Sequence, residues 1–207
     1  MREFEKRTYN FEIRASKTED SAIIEGRPIV FNSRTDMGYF DEIIAEGALD
    51  KTDLKDVRFL VNHDVSKIPL ARSRNNNENS TMQLIKDSKG LGIRVKLDVE
   101  RNTEAMNLYS AVERGDISGM SFMFIMDGIE WLALDTDHPT RKITSISQVI
   151  EVSAVTFPAY EDTEISVRDK TALESARKAL ESARKSLDSE RRQKLELEKL
   201  KIKYLTP

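Results

Sequence analysis

The sequence predicts a mostly β fold with flanking helices: a small closed or partly closed antiparallel β-barrel, extended by a C-terminal helical tail. Three observations carry this reading. Over residues 1–168, short runs rich in Val, Ile, Phe and Thr are separated by Gly, Asn, Asp and Pro, a strand-and-turn composition. Within that body NTEAMNLYSAVERGD (102–116) stands out by its helical spacing of apolar residues. Residues 169–207 then change character, with no Gly, Pro only at the end, and a repeat of seven. The chain therefore divides into a β-barrel body, 1–168, and a basic heptad-repeat tail, 169–207.

Taken in order, RTYNFEIRA (7–15) alternates and reads as a strand. SAIIEGRPIVFN (21–32) reads as a strand kinked at Gly26-Arg27-Pro28. TDMGYFDEIIAEGAL (35–49) is loop-like, with a short helical turn. DVRFLVNHD (56–64) is a strand that places Val57, Phe59, Val61 and His63 on one face. RSRNNNENS (72–80) is a polar turn or loop, and TMQLIKDSKGLGIRVKLD (81–98) a hairpin turning at DSKG. In the helix, Asn102 or Thr103 supplies the cap, Met106, Tyr109 and Val112 share a face, and Gly115 ends it. ISGMSFMFIMDGIEWLAL (117–134) reads as strand, turn, strand. RKITSISQVIEVSAVTF (141–157) reads as one long strand stopped by Pro158.

In the tail, ALESARK (172–178) repeats as ALESARK (179–185) and then as SLDSERR (186–192). Leu173, Leu180 and Leu187 take one heptad position, Ala176 and Ala183 the other. The seam is short and alanine-rich, and Glu190 and Lys194 interrupt it. This predicts a weak coiled coil or a helix that docks on a partner, against a solvated single helix laced by Glu–Lys and Glu–Arg pairs.

Composition narrows the function. The net charge is −3, so no overall basic character points to nucleic acid. The tail carries 11 Lys/Arg against 7 Asp/Glu, a net of +4, which leaves −7 on the body. With no Cys, disulfides, thiolate catalysis and cysteine metal sites are excluded. The polar, alternating N-terminus has no signal-peptide core, and no segment approaches the ~20 apolar residues of a membrane helix. No cofactor and no metal are expected, since a metal site needs more ligands than His63 and scattered carboxylates.

Three polar residues each interrupt a strongly apolar strand. His63 ends one; its alternative is a partly buried histidine satisfied by Asp64. Ser121 lies where Ser121, Met123 and Ile125 share one face and Met120, Phe122, Phe124 and Met126 the other, so the strand is buried on both sides. A buried hydroxyl needs a partner or costs about 1–3 kcal/mol; a carbonyl or an imidazole would serve. Glu151 shares a face with Val149, Ser153 and Val155, and needs a cation or another donor. If the strands are neighbours, the three residues supply a nucleophile, a base and an orienter. His138, in TDHPT, reads as a surface residue.

At these residues the sequence resembles the tailed-phage prohead (capsid maturation) serine protease family, distantly similar to herpesvirus assemblins. The matching stretches are IVFNSRTDMGYFDEIIAEGAL (29–49), VRFLVNHDVSKIPLARS (57–73), KGLGIRVKLD (89–98), ERGDISGMSFMF (113–124) and VIEVSAVTFPAYEDTEISVR (149–168). Their joint order and spacing are specific; the heptad tail is outside the resemblance. The resemblance implies an assemblin-like barrel ringed by helices, with the family's histidine on His63, its serine on Ser121 and its acidic residue on Glu151. Assemblin relatives use a second histidine as third member, so the carboxylate is there by analogy. IPLARS departs from the Leu-Gly-Arg-like turn usual in the family. Arg72 and Arg141 are the candidates for stabilising the oxyanion.

The resemblance further implies a serine endopeptidase that removes the scaffolding segment of the capsid precursor, and often cuts itself. It would act within the immature prohead in the host cytoplasm. Its expected partners are the major capsid protein precursor or scaffold segment; a homodimer is expected because assemblin-like enzymes are controlled by association. The rival reading is a catalytically silent capsid assembly or scaffolding factor working through its helical tail. A small-molecule hydrolase ranks below both, as no Gly-x-Ser-x-Gly elbow is present. RGD at 114–116 closes a helix and is given no recognition meaning.

Overall fold

A computed structural model describes residues 4–9, 13–18, 21–156 and 170–205. Its elements run β1 (Glu5–Tyr9), β2 (Ile13–Thr18), β3 (Ser21–Val30), β4 (Thr35–Asp36), β5 (Asp41–Ile44), β6 (Asp56–Val61), β7 (Ala71–Arg74), β8 (Met82–Asp87) and β9 (Gly90–Leu97). Then follow α1 (Thr103–Glu113), β10 (Gly119–Leu132), β11 (Thr140–Val155) and α2 (Lys170–Leu205).

The mostly β class with two helices stands, but among the described residues the sheets do not close into a barrel. Among the described residues the strands form two open sheets: a four-stranded one in the order β2-β3-β9-β8, and a seven-stranded one in the order β1-β10-β11-β5-β4 with β6 on β11 and β7 on β6. Nor is pairing antiparallel throughout. β6 and β11 run parallel, Arg58 facing Glu151 and Val61 facing Ala154. A parallel pair needs a long crossover, and here the β8–β9 hairpin and α1 lie between the two strands in sequence.

Local chemistry explains the elements. Asp87 and Gly90 close the β8–β9 hairpin at DSKG as expected. Gly90 has φ +138°, and a Cβ there would stand 2.0 Å from the Ile29 carbonyl oxygen, so glycine is required. The kink at 26–28 is a register shift of β3 against β9 between Gly26 and Ile29; Pro28 has no N–H to give the ladder. In α1 the Asn102 side chain accepts the N–H groups of Glu104 and Ala105 at 3.0 and 3.3 Å, a capping arrangement. The buried face is Ala105, Leu108, Tyr109 and Val112. Met106, expected on that face, is exposed instead.

Other expectations are corrected too. RTYNFEIRA is not one strand: β1 and β2 belong to different sheets. Asp127-Gly128 makes no turn; β10 runs straight through it for 14 residues. Gly128 is there for close approach, since a Cβ would meet Thr144 Oγ1 at 2.8 Å and Ser145 Cβ at 3.2 Å on β11. The polar stretch 72–80 begins inside β7 before turning at Asn75 and Asn76, both with positive φ. Pro158 lies outside the described residues. Phe59, Phe122 and Phe124 are fully buried in a core shared with Ile24, Ile93, Leu108 and Val152. Each such ring stabilises the fold by about 1.5–3 kcal/mol over an exposed one.

The chain forms two compact units, one of residues 1–35, 43–130 and 142–163, the other of 36–42, 131–141 and 164–207. In the second, Ala176 and Leu180 of α2 are buried with Phe40, and Trp131 packs against this group. The Phe40 and Trp131 rings meet edge to face at 4.9 Å. Arg184 donates to the Thr136 carbonyl at 2.6 Å. Ala176 and Leu180 of the heptad stripe are thus covered by the chain itself, whereas Leu195, Leu197, Leu200 and Ile202 are exposed.

Candidate active site

Ser121, Glu151 and His63 are all carried by the first unit. β11 is the common wall: β10 and β6 both pair with it. β10 brings Ser121, fully buried between Met120 and Phe122, which are also fully buried. A side chain in such a strand has little freedom to move, which suits a reactive hydroxyl. β11 brings Glu151 and Ser153, two residues apart and therefore on one face, both fully buried.

His63 comes from just beyond β6. Strand alternation placed its Cβ with Val57, Phe59 and Val61, but the strand stops at Val61, and Asn62 and His63 are both left-handed, with φ of 52° and 57°. Left-handed backbone is costly for a residue with a side chain and must be held by its surroundings. Here the Asn62 N–H donates to the Ala154 carbonyl at 3.0 Å. Asn62 Oδ1 accepts the Thr156 N–H and Asn62 Nδ2 donates to Thr156 Oγ1, both at 3.0 Å. The His63 N–H donates to Ser153 Oγ at 3.1 Å. β11 therefore sets the turn that aims the imidazole.

The three groups meet. His63 Nε2 lies 2.6 Å from Ser121 Oγ, and His63 Nδ1 is hydrogen-bonded to Glu151 Oε1. The other carboxylate oxygen, Oε2, accepts from Ser153 Oγ at 2.6 Å. Only the imidazole edge is accessible, at 12% side-chain exposure against 1% for Glu151. In the tautomer that puts Nδ1–H on the carboxylate, Nε2 would offer the serine a lone pair. That arrangement can take a proton from a hydroxyl and spread the resulting charge onto a buried anion. Ser121 Oγ also lies 2.7 Å from the Arg7 carbonyl oxygen on β1, so the hydroxyl has both partners the sequence left as alternatives. Asp64, the expected partner of His63, instead accepts from Ser66 N–H and Oγ at 3.1 and 2.5 Å. Those bonds hold its carboxyl below the usual carboxylate range. Asn62 and Asp64 line a cleft of about 410 Å³ with Lys67, Leu70, Glu104 and Leu108.

The two arginines proposed for the oxyanion are committed elsewhere. Arg72 Nε and Nη2 donate to the two oxygens of Asp56 at 2.5 and 2.7 Å; this fork pulls the Asp56 pKa down. Arg141 is buried in an ion pair with Glu42 and lies over the Phe40 ring, within the second unit. His138, also in the second unit, is exposed beside Asp41 at 3.2 Å.

Against known proteins, residues 9–178 match the caudovirus prohead serine protease family. The chain belongs to that family. No curated protein matches it. Among solved structures it is similar to the bacteriophage T4 capsid assembly protease gp21, with 11% identity and a TM-score of 0.44, covering 75% of this chain and 98% of that one. The family match includes every residue of the constellation and the first turns of α2, but only the last residue of β1.

Sequence reasoning missed two contributors. Ser153 was visible as a strand-face neighbour of Glu151, and a hydroxyl two residues from a buried carboxylate is a ready donor. The Arg7 carbonyl left no sequence signal, because it is backbone brought in by long-range strand pairing.

Proposed function

We propose that this prohead-family protein is a serine endopeptidase acting through Ser121, His63 and Glu151. One observation carries the reading: hydroxyl, imidazole and carboxylate from three separate segments stand in one hydrogen-bonded line, 2.6 Å from Oγ to Nε2. In the proposed cycle Ser121 Oγ attacks a peptide carbonyl carbon while its proton passes to His63 Nε2. The tetrahedral oxyanion then collapses, the C–N bond breaks, and Nε2–H protonates the leaving amine. Water, deprotonated by the same nitrogen, hydrolyses the acyl-serine and restores Oγ–H. Glu151 holds the Nδ1–H tautomer and offsets the imidazolium charge. Ser153 is a positioning residue, acting on both the carboxylate and the His63 amide. With Arg72 and Arg141 occupied, backbone N–H groups are the oxyanion donors to test; losing one such donor typically costs about 10²–10³ in rate.

The substrate of this reading is the capsid precursor or its scaffolding segment, inside the immature prohead in the host cytoplasm. In α2 the exposed apolar residues Leu195, Leu197, Leu200 and Ile202, unlike the buried Ala176 and Leu180, are the part proposed for recruitment into the shell. The test co-expresses the chain with its capsid precursor and follows precursor length by mass spectrometry. Ser121→Ala and His63→Ala should each abolish shortening while circular dichroism stays unchanged. Normal cleavage by Ser121→Ala would refute the assignment and favour the silent assembly factor.

A further inference from the structure

The contact between β1 and β10 extends this proteolytic reading, on which it rests. β1 pairs antiparallel with β10 across the nucleophile: Glu5 faces Phe124, Arg7 faces Phe122 and Thr8 faces Ser121. β1 ends the seven-stranded sheet, so without it β10 would be an open edge. An open edge beside a nucleophile is where an extended peptide adds as a strand. Four of the five β1 residues precede the residues that match the family.

Its docking is that of an occupant. The Arg7 carbonyl oxygen lies 2.7 Å from Ser121 Oγ, which brings a main-chain carbonyl to the nucleophile. The Arg7 side chain is buried, its guanidinium 5.5 Å from the centre of the Phe124 ring and ion-paired with Glu5 of the same strand. Proton counting makes this seated form silent. Contacts from Nε2 to Oγ and from Oγ to the Arg7 oxygen need two protons, and the serine supplies one. While the serine donates its one proton to the Arg7 oxygen, that proton is not offered to Nε2.

We propose that a polypeptide substrate lies along β10 as an extended strand in the lane β1 fills, with a basic side chain over Phe124 just before the scissile bond. Residues 5–9 are the chain's own occupant of that lane and keep the site closed until they are displaced.

The test uses the full chain, its Arg7→Glu variant, and a variant lacking residues 1–9, each labelled with a fluorophosphonate that Ser121 Oγ attacks with loss of fluoride. Arg7→Glu sets a carboxylate over the ring face and beside Glu5. It should label about three- to thirtyfold faster than the wild type, the range for losing one cation–π anchor. The shortened variant should label at least as fast, and a synthetic peptide of residues 3–10 added to it should slow labelling again. Of two peptide substrates differing only before the bond, the Arg form should exceed the Glu form about three- to thirtyfold in kcat/KM. Equal labelling of all three proteins, with the capsid precursor still cut, overturns the lane and leaves the protease standing. Equal or reversed preference between the peptides overturns the basic subsite. No labelling and no cleavage in any of them removes the protease reading and this inference with it.

Discussion

Replacing Ser153 by alanine separates a positioning role from a packing one. Its Oγ donates to Glu151 Oε2 at 2.6 Å and accepts the His63 N–H at 3.1 Å, and no part of the residue reaches solvent. A buried hydrogen bond to an ionised group contributes about 1.5–3 kcal/mol and one to a neutral amide about 1 kcal/mol, so Ser153→Ala should cost about 3 kcal/mol. For a chain of this size that is a fall in Tm of about 6–12 °C, which a domain with ordinary stability survives. Activity should fall differently. Glu151 still holds His63 Nδ1–H, so the tautomer is kept, but the left-handed turn loses the bond that fixes its amide. The ring then aims less well, and kcat should fall about 10–100-fold with KM within about twofold. Glu151→Ala, which removes the tautomer's partner, should cost about 10⁴. The assay is peptide cleavage below the melting range of each variant, with melting followed by circular dichroism. A Ser153→Ala enzyme with wild-type kcat would refute the reasoning, as would one whose loss lay wholly in KM, since that would put Ser153 against the substrate.

Other outcomes follow from single features. Ser73 Oγ is fully buried without a hydrogen-bond partner, so Ser73→Ala should raise stability by about 1 kcal/mol, read as a Tm higher by about 2–4 °C; a lower Tm would show that the hydroxyl is satisfied. Gly90→Ala should destabilise by about 1–3 kcal/mol in denaturant, because its Cβ would meet a main-chain oxygen that cannot step aside. Asp56 is held below its ordinary value of 3.8 by Arg72, so the pair stabilises above that value and the effect fades as pH falls through the depressed folded pKa. Both side chains are about 37% exposed, so Asp56→Asn should cost at most about 1 kcal/mol at neutral pH and nothing measurable in strong acid; an equal cost at both would mean that packing, not charge, is lost.

What the sequence made legible and what it hid have one physical origin. Ser121 and Glu151 stand in strands so apolar that alternation alone marks them as misplaced unless they are used. The same alternation assigned His63 to an apolar face, and the structure brings its imidazole to Ser121 by another route, a left-handed Asn62-His63 turn held by Ala154, Thr156 and Ser153. Local periodicity has no access to that turn, because its cost is met by a strand some 90 residues away in sequence. The parallel β6–β11 pairing and the β1–β10 ladder were hidden for the same reason, since strand partners are chosen by the whole fold. The tail divides likewise. The heptad repeat showed a helix with an apolar stripe, but the cluster of Phe40, Met37, Trp131 and Leu134 decides that Ala176 and Leu180 of that stripe are covered within the chain. Binding by this helix should accordingly depend on Leu195, Leu197, Leu200 and Ile202, while exchanging Ala176 or Leu180 for a charge should loosen the second unit itself.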